Sequence, residues 1–430
     1  MKKNAENTSR KPRIHAARKF IIAGAAVVAA AAAAAVLCEI LRKPSVSFYN
    51  IDARTQAAIT KQIQQIQNGN RKKEFRTVTL DSSVPLSAQK KIWRKTGIIF
   101  AALDYDCEAM FRSDRKISGL PASVLGGMPT TTVNSVPSSG GTVPFVPLLY
   151  DFYQVDVNYP VFVSSRIDNI NVWDDFISFA EKSKLRVSVP LVFPGRNHSE
   201  FLNIFGMITE ATSGYRALAE IQSQLYNAFT EDKKNRNQSE NTAVTEKVYE
   251  FAEKNTAFRK TAGIIRFMRK EKLVPENIRD FPLTDMKFFM DQNLPAAAFI
   301  KLSEHRSMDR SALENFKSVY CPGTELTAAR KFPAAMICAA AVKKDKRTAE
   351  IIRQLASSGQ TALALESGLA PVQKNCRIPD KQADDVRYWL AASDGPQMYL
   401  SAALPSAEAR SAAWRAVWKI INSYDVDLPY

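Results

Sequence analysis

The chain has 430 residues, 46% hydrophobic and 24% charged, which is the balance of a folded globular protein rather than a disordered one; its length exceeds what one core ordinarily fills, so two domains or lobes are expected. The formal net charge of +16 does not make it a nucleic-acid binder, because Lys2, Lys3, Arg10, Lys11, Arg13, Arg18 and Lys19 crowd into the start of the chain. The remaining basic residues alternate with acidic ones, and no nucleic-acid-binding module accompanies them. Histidine is scarce, and Cys38, Cys107, Cys321, Cys338 and Cys376 form no CxxC pair; the composition argues against a metal site, calls for no cofactor, and leaves the cysteines as small buried hydrophobes.

In chain order, residues 1–19 are a basic leader and Phe20–Cys38 is an uninterrupted apolar run. As a helix that run is about 28 Å long, enough to cross a bilayer core. Segment 20–41 therefore reads as a signal or transmembrane helix, with the leader in the cytoplasm and everything after Arg42 outside. Leu37 before Cys38 suits lipid attachment poorly, and a retained tether is preferred to full release.

Ser45–Asn50 alternates as a first strand ending at Tyr49, a ring placed either to border a cleft or to pack. Thr55–Gln67 follows as a helix with Ile59, Ile63 and Ile66 on one face, and Thr77–Leu80 is a second strand. Gly97–Leu103 is a continuous apolar run, hence a buried strand, and it ends in Asp104-Tyr105-Asp106. Open α/β sheets bind ligands at the C-terminal ends of their strands. Asp104 could accept hydrogen bonds from hydroxyls there and Tyr105 could cover an apolar ring face; a solvated turn is the alternative. Ser118–Thr142 shifts to Gly, Pro, Ser and Thr and reads as a long loop.

The segment Val146–Phe162 reads as a strand that crosses between lobes. Period-two alternation puts Tyr150 and Phe152 on one face and Asp151 and Tyr153 on the other, and the second pair is the candidate for facing a cleft. Asn171 is a candidate cap for a helix with Trp173, Phe176, Ile177 and Ala180 on one stripe. Strand Val187–Phe193 ends in Pro194-Gly195, which leaves Arg196 as a possible donor, and a helix capped by Ser199 runs to Gly214. Three charged helices follow, in Arg216–Phe229, Ala243–Asn255 and Ala257–Lys272. Pro333–Val342 is a small-residue strand, Asp345 caps a helix that Gly359 ends, and Pro371 breaks the chain. The last helix, Ala407–Tyr424, carries Trp414 and Trp418 on a core stripe.

Two separated stretches resemble the extracellular solute-binding proteins of ABC transporters, in particular the sugar-binding group. One comprises Pro147–Tyr153, Asn158 and Val172–Phe176; the other is Pro333–Val372, with PAAMICAAAV, a helix and then ESGLAPV. Within Phe288–Ile300 the chain departs from that pattern, carrying Gln292-Asn293 where the family has Gly-Lys. The resemblance implies an α/β, two-lobed periplasmic-binding-protein-like fold of type II, each lobe a sheet flanked by helices. Lobe 1 would take 45–154 plus 334–374, and lobe 2 would take 155–333 plus 375–430. It also implies a carbohydrate-like ligand, a permease partner and no enzymatic activity, with Tyr49, Asp104, Tyr105, Asp151, Tyr153 and Arg196 as ligand contacts. A second hypothesis is a degenerate solute-binding fold serving as a membrane-anchored envelope interaction protein. A third, a glycosidase, needs two carboxylates across one bond. The adjacent pairs Asp174-Asp175 and Asp384-Asp385 point about 100° apart on a helix and cannot supply them.

Overall fold

The computed structural model describes residues 45–67, 76–232, 240–324 and 329–423; the leader, segment 20–41 and Cys38 lie outside them. The chain opens with Ser45–Tyr49 (β1), Ala53–Gln67 (α1), Arg76–Thr79 (β2), Ile98–Ala102 (β3) and Tyr105–Ser113 (α2). Next come Leu120–Pro121 (β4), Thr142–Val143 (β5), Val146–Asn158 (β6), Tyr159–Ser165 (α3), Trp173–Ser183 (α4) and Val189–Val192 (β7). Helices His198–Ser213 (α5), Tyr215–Asp232 (α6), Glu240–Lys254 (α7), Thr256–Lys270 (α8) and Leu283–Asp291 (α9) lead to Pro295–Lys301 (β8). Further on come Leu302–His305 (α10), a short helix at Arg310–Asn315, Phe316–Val319 (β9), Ala334–Ala341 (β10), Lys346–Leu355 (α11), Gln360–Ser367 (α12), Ala370–Pro371 (β11), Lys381–Ala392 (α13) and Ala407–Ser423 (α14).

The main sheet has the order β2-β1-β3-β10-β6-β8-β7, with β9 and β11 also on β6. It falls into two halves because β6 is thirteen residues long and serves both. Its first part pairs antiparallel with β10 through Val146–Phe152 and with β11 at Leu149 and Tyr150. Its second part pairs with β8 from Tyr153 to Val157 and with β9 from Val155 to Asn158. In the first half β1 and β3 are parallel and β10 runs against β3. Every residue of β3 is buried, as an apolar run flanked by strands and covered by helices requires.

In the second half α5, α7, α8 and α14 pack on one another and α4 packs on β7 and β8, in a core rich in rings. Trp418 is fully buried and stacks on Phe201 at 4.5 Å, and Phe176 meets Phe299 edge-on at 5.9 Å. The tryptophans of the last helix are thus core residues, as the apolar stripe predicts.

Local details differ from the sequence reading where backbone partners replace side-chain caps. Helix α4 has Val172, not Asn171, at its N-cap, and its first N–H is satisfied by the Gly323 carbonyl at 2.7 Å. Helix α5 starts at His198, ahead of Ser199, while the Asn197 carboxamide accepts from the Leu283 N–H at 3.2 Å. Residues 118–142 hold the β4–β5 ladder and a short helix, Thr130–Ser135, whose Thr132 hydroxyl bonds the Tyr150 hydroxyl at 2.8 Å. Gly359 begins α12 instead of ending α11, which Ala356 closes. Asn293 adopts φ 55°, the left-handed conformation that asparagine tolerates better than most residues.

Candidate ligand-binding cleft

A cleft of 590 Å³ follows the ends of the strands across the first half of the sheet. Its wall on that side runs from Thr79, Leu80 and Ser82 after β2, through Asn50–Asp52 and Arg54 after β1, to Ala102–Asp104 at the end of β3. It continues over Ala335 and Ile337 of β10 and Asp151 of β6 to Ser367 and Leu369 before β11. The second half supplies Ser199, Glu200 and Asn203 from the first turns of α5, Lys287 from α9, and Lys301, Ser303, Glu304 and Ser307 around α10. Tyr399, Ser401, Ala402 and Arg410 complete it.

Asn50, Asp104 and Lys301 gather here because each is a polar residue closing an apolar strand, and Ser199 and Glu200 because they stand in the opening turn of a helix, where the chain leaves the sheet. At the floor, Asp151 accepts from the Ser303 hydroxyl at 2.6 Å and the Ser303 N–H at 3.1 Å, while Tyr399 donates its hydroxyl to the Asp151 carbonyl at 2.8 Å. Lys301 Nζ lies 2.9 Å from Glu200 Oε1. Lys287 pairs with Glu304 and also donates to the Ser307 hydroxyl at 2.9 Å.

Burial raises the Asp151 carboxyl above its ordinary range, and Lys301 and Ser303 pull it part of the way back. Burial works the other way on Lys301, but Glu200 and Asp151 outweigh it and hold the ammonium above its usual value. Asp104 is 4% exposed, and burial pushes it up to about 6 against the opposing Cys107 N–H bond. That bond, 2.7 Å long, makes Asp104 the N-cap of α2 as well as part of the cleft wall. The result is a surface alternating acceptors with donors, suited to hydroxyl groups, and no cluster of metal-ligating side chains occurs among the described residues.

Of the six residues singled out from sequence, Asp104 and Asp151 line this cleft and come together there. The other four lie elsewhere. Tyr49 is buried in the first half with its hydroxyl donating to the Val84 carbonyl at 3.2 Å. Tyr105 packs on Tyr226 at 5.0 Å and donates to Gln222 at 3.4 Å. Tyr153 is buried beneath Tyr399, ring edge to ring face at 5.1 Å. Arg196 is exposed outside the cleft, its backbone N–H donating to the Phe281 carbonyl at 3.1 Å. The sequence reading missed Glu200, Lys287, Lys301, Glu304, Tyr399 and Arg410. Lys301 carried the same signal as Asp104, a charged residue closing an apolar strand.

Among the described residues Tyr399 is the one aromatic in the cleft lining. Rings collect instead in a separate pocket of 430 Å³ lined in part by Tyr320, Phe332, Tyr388 and Trp389. Phe152, on the strand face opposite Asp151, packs against Phe332 and Trp389, each at 5.8 Å.

No protein-family model and no curated protein matches the sequence. Solved structures do match over most of the chain. The bacterial solute receptor AcbH, described as exclusively preferring β-D-galactopyranose, superimposes with a TM-score of 0.63 at 11% identity, over 87% of this chain and 97% of its own. The GacH receptor of Streptomyces glaucescens, solved with acarbose, gives 0.58 at 12% identity over 89% and 99%. Maltose-bound MalE3 of T. maritima gives 0.58 at 13% identity over 88% and 98%. With a sheet split over one shared strand and a cleft at its strand ends, this chain has the α/β fold of the sugar-binding solute receptors.

Proposed function

We propose that the protein is a solute-binding protein that captures a small polar ligand, a sugar or oligosaccharide, for an ABC uptake transporter by hinge closure. The observation that carries this reading is that both halves of the sheet contribute polar side chains to one cleft and meet on Asp151, which Ser303 bonds from the other half. A ligand that touches both walls binds the closed arrangement better than the open one, and that difference in affinity is what drives closure. The lobes in this proposal are 45–154 plus 334–374 and 155–333 plus 375–430, with α13 lying against β11 at their boundary. The likeness to sugar receptors supports the ligand class and the absence of catalysis. The proposed setting is outside the cytoplasmic membrane, beside a permease, with segment 20–41 as tether.

Thermal melting of the full chain against a sugar panel tests the reading. A ligand present at a hundred times its Kd adds about 2.7 kcal/mol of stability. A panel of pentoses, hexoses and their oligomers that leaves the melting temperature unchanged would reject it and favour an interaction scaffold.

A further inference from the structure

Resting on that reading, we propose that the cleft is a trough closed at both ends, built for a one- or two-ring sugar and excluding extended oligosaccharides. The first half of the sheet has two edges, β2 and β11, and the cleft lining runs from one to the other. Each edge is met by chain from the opposite half. At the β2 edge, Arg410 of α14 donates to the Ser82 carbonyl at 3.0 Å, and the Ala407 N–H donates to the Ser83 carbonyl at 3.0 Å. Helix α14 belongs to the core of the second half, so these bonds tie wall to wall where a longer chain would have to leave.

At the β11 edge, Gly368 sits between the cleft residues Ser367 and Leu369 with φ +76°, and a side chain there would stand 3.3 Å from both Arg306 Cβ and the Arg54 guanidinium carbon. Arg306 follows α10 in the second half and pairs with Asp380 at the start of α13. That end is therefore filled by the close approach of Arg306, held by Asp380, to the Gly368 backbone. The 590 Å³ of the cleft lies within the range of about 300–1,000 Å³ that holds a single compact ligand.

The lining agrees with the shape. A chain of sugar rings offers a succession of apolar faces that aromatic side chains cover. Here the sole ring is Tyr399, itself 7% exposed and held by its hydroxyl bond to Asp151. Lys301, Glu200, Asp151 and Ser303 instead present donors and acceptors at short spacing, suited to the hydroxyls of one ring or two.

The test is isothermal titration of the full chain with pentoses and hexoses, with xylobiose, maltose, cellobiose and chitobiose, and with the corresponding hexasaccharides. The proposal expects binding of a monosaccharide or disaccharide and at least tenfold weaker binding of its hexasaccharide. It also expects at least tenfold loss when the bound sugar carries a 2-aminobenzamide group on its reducing end, because a closed trough has no exit for the tag. A hexasaccharide binding as tightly as its short counterpart, or a tag that is tolerated, overturns the closed trough while leaving sugar capture intact. No binding by any member overturns both.

Discussion

Substituting Arg330→Met tests how the segment between β9 and β10 is anchored in the second half. Arg330 grips Glu210 from two sides, Nε to Oε1 at 2.8 Å and Nη2 to Oε2 at 2.6 Å, and the Lys331 N–H adds a third bond at 3.2 Å. Glu210 lies fully buried on α5. Methionine keeps the packing of the stem but leaves a buried carboxylate with one backbone donor. Breaking a buried pair in this way costs about 3–5 kcal/mol. With a urea slope of about 3 kcal/mol per M, the unfolding midpoint falls by roughly 1 M or more.

The loss depends on pH. Burial already holds Glu210 above its ordinary value of 4.5, and Arg330 is the main opposing influence, so its removal raises the carboxyl further. A folded-state value raised above the unfolded one favours the folded protein below pH 4.5 and loses up to about 1.4 kcal/mol per pH unit as the pH climbs toward the raised value. The deficit of the variant relative to the parent is therefore larger at pH 8 than at pH 5. Urea titrations at both pH values check this, and the double variant Glu210→Met with Arg330→Met recovers most of the loss. Equal deficits at the two pH values, or a deficit under about 1 kcal/mol at pH 8, would refute the argument.

Three further outcomes follow. Gly195→Ala places a Cβ 1.9 Å from the Ile278 carbonyl oxygen, and the backbone must move; a loss of about 1–3 kcal/mol or more is expected in chemical denaturation, and a neutral variant would contradict the packing. Asp104→Asn keeps the cap of α2 but removes a carboxyl held at about 6 against an ordinary 3.8. The parent's contribution from this group is full below pH 3.8 and lost as the pH rises through about 6, so the variant gains on the parent across that window by up to about 3 kcal/mol; parallel pH profiles would count against it. Trp418→Ala empties the space beside Phe201 and costs about 3–5 kcal/mol, whereas Tyr388→Ala, at a 66% exposed position, stays within about 0.5 kcal/mol in the same melts.

What could be read in the sequence was whatever depends on runs of residues. The apolar stretch before Asp104 announced a buried strand and placed its carboxylate at the cleft, and alternation along β6 separated Asp151 from Phe152. The aromatic candidates lie outside the cleft lining for a reason local patterns do not carry. A ring at a strand end packs or faces a ligand depending on what arrives from distant sequence, and Tyr399, 246 positions after Tyr153, covers that ring and takes its place. Arg410 and Glu304 were out of reach for the same reason, since only the folded chain brings them to the strand ends. The caps of α4 and α5 were misplaced because distant backbone groups intervene: the Gly323 carbonyl accepts the first N–H of α4, and the Leu283 N–H engages the Asn197 carboxamide ahead of α5.

The thirteen residues of β6 have a bearing on how the molecule comes apart. Neither half of the sheet can dissolve without stripping a ladder of amide bonds from the other, so heat produces one calorimetric peak instead of two. The amides of Leu149–Tyr150 and Val155–Val157, in stretches flanked by strands on both sides, exchange their hydrogens only when the whole protein opens.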